Sequence, residues 1–233
     1  MITDSFRSDC QFIFNKLKDR HSFSFSKYAD AEFLILTNQS VTTIDGWFFT
    51  PELHEETRNL VFESFTYDDP NYFVGISCIC CQPKNHVDWM RSVVGTKNVT
   101  WANIFVNDNH NFFIENFIPE FSNWDVNIIC TSEGNISNLP FVPKSVTNIN
   151  KQSITEDLHL VDQLEKLAMG KNGELFLFCA GPLGNILAHR LHLVNPNNTY
   201  LDIGSTLNGY LLENPNRHYI TCSDLMDKKV CIW

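Results

Sequence analysis

The sequence predicts an α/β fold, a doubly wound and mostly parallel sheet with helices on both faces, and three observations predict it. Segments with the two-residue period of a strand alternate along the chain with segments of helical period. Some strand segments, such as "DVNIICT" and "ELFLFCAG", are apolar almost throughout, which suits strands covered on both faces and therefore a parallel sheet. The length of 233 residues suits one sizeable core, so residues 1–233 are expected to form a single domain.

Taken in order, residues 4–19 put Phe6, Cys10, Ile13, Phe14 and Leu17 on one helical face. "SFSFSKY" at 22–28 alternates as a strand does. "PELHEETRNLVFESF" is expected to open a helix at Pro51 and repeats Leu53, Leu60, Val61 and Phe65. "YFVGISCI" follows as a buried strand and "PKNHVDWMRSVV" as a helix. "VTWANIFV" is strand-like, with a helix start as the alternative. "NHNFFIENFIPEF" reads as a helix and "DVNIICT" as a strand. "ITEDLHLVDQLEKLAM" reads as one helix capped by Thr155. "ELFLFCAG" is a strand, "PLGNILAHRLHLV" a helix and "TYLDIGS" the last strand.

A formal charge of −10 argues against a bulk nucleic-acid binder, which needs a basic face. It leaves room for a nucleotide, because a metal ion can join an acidic site to phosphates. The N-terminus "MITDSFRSDCQFIF" lacks a basic stretch leading into an apolar run. The longest apolar runs are too short to span a bilayer, so a soluble, cytoplasmic protein is expected. Of eight cysteines, three stand in "CICC" at 78–81, without the second pair a structural zinc site wants. Cys78, Cys130 and Cys179 fall in strand-like runs, and reduced thiols acting as small hydrophobes are expected. The eight histidines show no ligand spacing, and no G-x-S-x-G elbow exists.

Ligands of such a sheet bind where loops leave the carboxyl ends of the strands. Lys27 to Glu32 follow the first strand, "CAGPLGN" at 179–185 joins a strand to a helix, and "LDIGS" at 201–205 ends another strand. Asp30 and Glu32, one residue apart at a corner, can present oxygens to a hard divalent cation. Alternatively, Asp30 caps the helix "AEFLILTN" and Glu32 sits in its first turn, where acids are favourable. Gly181 allows close approach of the backbone to a ligand, or simply serves a strand-to-helix turn with Pro182 at the first helical position. Asp202 is a ligand-facing acid or a cap for "STLNGYLL".

Together these stretches resemble a known family. "FSKYADAEF" resembles the [RK]-[FY]-G-D-G-E signature of the GT-D type glycosyltransferases, which have bacterial and viral members. "LFLFCAGPLGNILAHRLHLVNPNNTYLDIGSTLNGYL" resembles the family's second block, a strand ending in A-G-P, a helix, and a strand ending in D-I-G. "TWANIFVNDN" is similar in kind to its central segment, so the resemblance spans about residues 22–212. It implies a Rossmann-like domain that transfers a hexosyl or pentosyl group from a nucleotide diphosphate sugar, a UDP-sugar favoured, to a glycan or protein acceptor. Asp30 and Glu32 would be the catalytic acids and would hold Mn2+ or Mg2+. Lys27 and Tyr28 would stand at the family's basic and aromatic positions, and Gly181, Pro182, Asp202 and Gly204 would line the nucleotide side. A viral member would work in the host cytoplasm. Lys27 replaces the more usual arginine, and Ala29 and Ala31 replace glycines, so a differently shaped loop is expected. Two alternatives stay open: a non-catalytic nucleotide- or carbohydrate-binding module of the same fold, and another α/β transferase such as a methyltransferase. For the general base the candidates are Asp88, Asp108, Glu115 and Asp202.

Overall fold

Nine strands form in the computed structural model, which describes residues 2, 3 and 5–221: β1 (Ser24–Lys27), β2 (Val41–Thr42), β3 (Phe48–Phe49), β4 (Tyr72–Ile76), β5 (Val99–Trp101), β6 (Val126–Thr131), β7 (Ser145–Ile149), β8 (Leu175–Phe178) and β9 (Thr199–Asp202). Seven make one sheet in the order β5-β4-β1-β9-β8-β6-β7, and every pairing in it is parallel. From β1, third in that order, the chain builds outward through β4 to β5. It then crosses to β6 and β7, and β8 and β9 fill the gap back to β1. The loops after β1, β8 and β9 therefore diverge beside the point where the winding reverses, the usual place for a ligand crevice in an open α/β sheet. The remaining pair, β2 and β3, is an antiparallel hairpin.

The helices are α1 (Phe6–Lys18), α2 (Asp30–Leu36), α3 (Glu55–Thr66), α4 (Lys84–Val93), α5 (His110–Phe112), α6 (Ile118–Phe121), α7 (Ser153–Glu156), α8 (Leu160–Met169), α9 (Pro182–Val194), α10 (Asn208–Leu211) and α11 (His218–Thr221). They cover both faces because strand residues alternate between two cores. Phe176 and Phe178 point into a core with Val61, Leu164 and Leu187 of α3, α8 and α9. Leu175 and Leu177 point into the other, with Ile13 and Leu17 of α1 and the phenylalanines of residues 110–121. Each such side chain, fully buried, contributes about 1.5–3 kcal/mol. Among the described residues no helix is long and apolar enough to cross a membrane.

One side of β1 is polar and faces α9. Ser24 Oγ lies 2.9 Å from His192 Nδ1, whose Nε2 lies 3.3 Å from Asp69, and Asn185 Nδ2 donates to Ser26 Oγ at 3.1 Å. The order Ser24–His192–Asp69 imitates a nucleophile, base and orienting acid. Ser24 is wholly buried, however, so no substrate reaches its hydroxyl. Burial lowers the His192 pKa, against the pull of Asp69, and the chain is internal hydrogen bonding between strand and helix.

Several local expectations are corrected. Pro51 does not open a helix: it lies in a turn, and α3 begins at Glu55 after His54. Thr155 is not a cap but lies inside the short α7, with its hydroxyl on the Gln152 carbonyl. The long helix expected there breaks at Asp157, whose carboxylate instead accepts from the Asn150 N–H at 2.6 Å and from Asn150 Nδ2 at 2.9 Å. In "VTWANIFV" only Val99–Trp101 is strand. Between α5 and α6, Phe113–Phe117 winds as a π-helical turn. Strand β7 went unforeseen because "SVTNI" is a half-exposed edge strand without an apolar run. Cys222 and Cys231 lie outside the described residues.

Candidate functional site

The ends of β1 and β9 meet through Asp202. Its Oδ2 accepts from the Lys27 backbone N–H at 3.2 Å and from Asn185 Nδ2 at 3.4 Å, and its Oδ1 accepts from the Gly204 N–H at 3.2 Å. Asn185 Nδ2 also donates to the Lys27 carbonyl at 2.7 Å, fastening α9 to the end of β1. Asp202 is 2% exposed, and burial pushes its carboxyl up to about 7. The Lys27 charge and the backbone N–H donors oppose that rise, and the nearby Glu32 adds to it.

Asp30 and Glu32 occupy the first turn of α2, whose N-cap is Ala29. Alanine has no side chain to cap with. Glu32 Oε2 folds back to accept the Ala29 N–H at 2.8 Å, the acidic half of a capping box. Asp30 is not the cap: it is the first helical residue, exposed, and Ala29 holds the cap position. Residues two apart on a helix point about 200° apart round its axis, so the back-folding of Glu32 is what turns its carboxylate to the helix start. Glu32 is 6% exposed, and burial raises its pKa against the pull of Lys27 and the Ala29 N–H, with Asp30 raising it further.

Both acids and Lys27 stand in the wall of a cleft of about 740 Å³ at this end of the sheet. Gly181 and Gly204 line it as well, and both take positive φ, +53° and +55°. At Gly181 the φ, ψ pair (+53°, −142°) is close to a region essentially reserved for glycine, and its turn passes under Trp47, with 3.4 Å between an added Cβ and Trp47 Nε1. At Gly204 an added Cβ would stand 2.7 Å from Lys27 Cε. Gly204 thus lets the Lys27 side chain lie across the loop. Gly204→Ala should push that chain aside and cost about 1–2 kcal/mol through its positive φ. Urea unfolding checks the stability, and a stability equal to the parent's would show that the loop relaxes freely.

The alanines of the first motif fit without distortion. Ala29 has φ −94° and Ala31 lies within α2, so neither position asks for glycine's freedom. The expected difference in loop shape has no counterpart in backbone strain at these two residues.

Two expected ligand residues stand behind the wall. Tyr28 is wholly buried, its ring 4.8 Å from that of Phe65 and its hydroxyl 2.5 Å from Ser64 Oγ. The period of β1 explains it: Lys27 faces the cleft end, and the next side chain turns into the α3 core. Pro182 is buried in the first turn of α9. Of the four candidate bases, Asp88 pairs with Lys84 on α4, Asp202 lies beneath Lys27, and neither Asp108 nor Glu115 lines the cleft.

Other lining residues escaped the sequence reading. The β2–β3 hairpin brings Asp45 and Trp47 to the cleft, and Gln152 clasps it through two bonds to the Phe48 backbone, at 2.9 and 2.8 Å. Asp45 pairs with Arg217, and Glu133 with Lys151 at 2.9 Å; all four line the cleft. No local motif announces these pairs, since their members lie far apart in sequence.

The acids suit a hard cation in kind. Carboxylate oxygens are the kind of ligand a hard cation takes together with water and phosphate, and burial, against the pull of Lys27, raises the Glu32 pKa. Among the described residues the only group of three clustered metal-ligating side chains is Cys78, Cys80 and Cys81, so the acids do not form a closed protein cage.

Neither a protein-family model nor a curated protein matches the chain. Solved structures do. One, described as the highly conserved domain of unknown function 1792 with a distinct glycosyltransferase fold, aligns with TM-score 0.60 and 14% identity over 96% of this chain and 89% of its own. A second, described as a new glycosyltransferase (DUF1792) from Streptococcus sanguinis, aligns with TM-score 0.59 and 13% identity over 95% of this chain and 91% of its own. A third, a selenomethionine-substituted DUF1792 domain, gives TM-score 0.59 and 13% identity over 84% and 77%. At so low an identity the likeness concerns the backbone, and the chain has the α/β fold of the DUF1792 structures, the fold described there as a distinct glycosyltransferase fold.

Proposed function

We propose that this protein is a metal-dependent glycosyltransferase, taking a sugar from a nucleoside diphosphate sugar, a UDP-sugar in the favoured case, and passing it to a hydroxyl of a glycan or protein acceptor. The observation that carries the reading is the presence of Lys27, Asp30 and Glu32 in the wall of one cleft, beside the positive-φ glycines 181 and 204. The glycosyltransferase descriptions of similar structures support it. A cleft of about 740 Å³ is of the size small-molecule ligands use.

In this reading Asp30 and Glu32 present the hard oxygen ligands, and Lys27 brings a cation toward the remaining diphosphate oxygens. Gly181 keeps side-chain bulk away from the same path. Manganese or magnesium, when bound, would neutralise charge building on the departing nucleoside diphosphate. Asp202, beneath Lys27, positions that residue through its backbone N–H. Ala29 and Ala31, where the family has glycines, would be the motive for a binding module without turnover, and the ordinary backbone at both positions weakens it.

The test is a thermal-shift screen of UDP-, GDP- and dTDP-sugars with and without manganese, with S-adenosylmethionine as a further arm, followed by assay of nucleoside diphosphate release. At least one sugar nucleotide should stabilise the protein in a manganese-dependent way and be turned over. Binding without release would favour the binding module. Stabilisation by S-adenosylmethionine alone would favour the methyltransferase.

A further inference from the structure

The sequence shows no second pair to join "CICC" in a structural zinc site and puts Cys78 in a strand-like run as a small hydrophobe, and the structure separates its members. Cys78 is buried just beyond β4, whereas Cys80 and Cys81 are exposed. The turn that carries them closes on the Cys78 carbonyl, which accepts from the Cys81 N–H at 3.1 Å and the Gln82 N–H at 2.9 Å. That turn folds three thiols back on one another. Cys78 Sγ lies 2.8 Å from Cys80 Sγ, Cys80 Sγ lies 3.8 Å from Cys81 Sγ, and all three sulfurs fall within 4.8 Å of one another.

We propose that Cys78, Cys80 and Cys81 form a thiolate site for a thiophilic metal ion, zinc or copper(I), separate from the hard-cation chemistry of Asp30 and Glu32. Soft sulfur ligands select these ions over magnesium or manganese. With zinc–sulfur bonds of about 2.3 Å in a tetrahedron, sulfurs stand about 3.8 Å apart. The Cys80–Cys81 spacing has that value, whereas Cys78 and Cys80 stand closer, so binding requires the exposed Cys80 side chain to turn and both of its spacings to readjust. Asn103 Nδ2 donates to Cys81 Sγ at 3.3 Å, the kind of outer bond that orients a metal ligand. Binding displaces the thiol protons to solvent, so affinity should rise with pH.

The placement gives the site a consequence. Asn103 also lines the cleft, so a metal on the three sulfurs would fasten the turn after β4 against the cleft rim. Zinc should therefore raise the melting temperature of the reduced protein.

The test titrates phosphine-reduced, metal-free protein with cobalt(II), then displaces it with zinc, with copper(I) as a parallel arm. The near-ultraviolet absorption of thiolate-to-cobalt charge transfer should appear and saturate at one equivalent per chain. Cys78→Ser and the double variant Cys80→Ser, Cys81→Ser should each lose that band. Asp30→Asn and Cys130→Ser should keep it. Stoichiometric uptake of copper(I) but not zinc, lost in the double variant, would identify copper as the occupant and uphold the site. A wild-type protein without the band and without copper uptake, or a double variant that retains the band or the copper(I), overturns the proposal. So does a Cys78–Cys80 disulfide found by mass in protein handled with metal present.

Discussion

Asp30→Asn and Glu32→Gln are each expected to lower manganese-dependent sugar-nucleotide turnover by about 10²–10³, or about 3–4 kcal/mol of transition-state stabilisation, while the protein stays folded. Each change keeps the shape of the side chain and removes its charge, so a hard cation loses a ligand it prefers. The structure makes the comparison cleaner than the motif allows. Asp30 is not the helix cap, so Asp30→Asn leaves the Ala29 cap as it stands. Gln at position 32 keeps an oxygen that can accept the Ala29 N–H now held by Glu32 Oε2. The Asp30→Asn melting temperature should therefore move little, and that of Glu32→Gln should not fall, because Gln removes a charge whose burial raises the Glu32 pKa. Turnover and thermal unfolding are measured on the same preparations. Full metal-dependent activity in Asp30→Asn would remove that acid from the cation site, and activity lost together with folding would point to a structural role.

A second large effect concerns pH. Between about pH 4 and about pH 7 the metal-free protein should lose stability relative to Asp202→Asn as pH rises, on top of the opposite slope that the buried His189, pushed down to about 4, gives both proteins. The Asp202 carboxyl titrates at about 7 in the fold and near 3.9 in an unfolded chain. Between those values the folded state holds a proton that the unfolded state has released, so raising the pH favours unfolding. Its contribution is fully present below about pH 4 and gone above about pH 7. A shift of that size corresponds to at most about 4 kcal/mol. Glu32, also raised by burial, adds a slope of the same sign that Asp202→Asn leaves in place. Asn offers one acceptor oxygen where Asp202 takes the Lys27 and Gly204 N–H groups on two, which costs the variant a hydrogen bond across the pH range. Urea midpoints across the pH series decide it: an unchanged slope in Asp202→Asn would show that another group titrates there.

Much of the architecture follows from short-range information. Apolar runs such as "DVNIICT", with helical segments between them, are enough to imply a parallel sheet covered on both faces, because only buried strands need no polar face. The position of "SKYADAEF" after the first strand likewise places Asp30 and Glu32 at the carboxyl end of that strand, where the cleft is found. The glycines 181 and 204 could be singled out from their turns, and both take positive φ.

Tertiary structure decided the rest. Whether Tyr28 faces ligand or core depends on which helix covers β1, and α3 takes it through Phe65 and Ser64. The pairing of Asp45 with Arg217 across 172 residues, and the clasp of the hairpin by Gln152, have no local signature. Strand β7 is polar enough to read as loop and is a strand because β6 offers it a partner along five residues. The three sulfurs of "CICC" meet only because the turn closes on the Cys78 carbonyl. Periodicity reports which faces are buried, since burial follows a fixed spacing along the chain. Which distant residue lies against a given face is set by strand order, and strand order is a property of the assembled sheet.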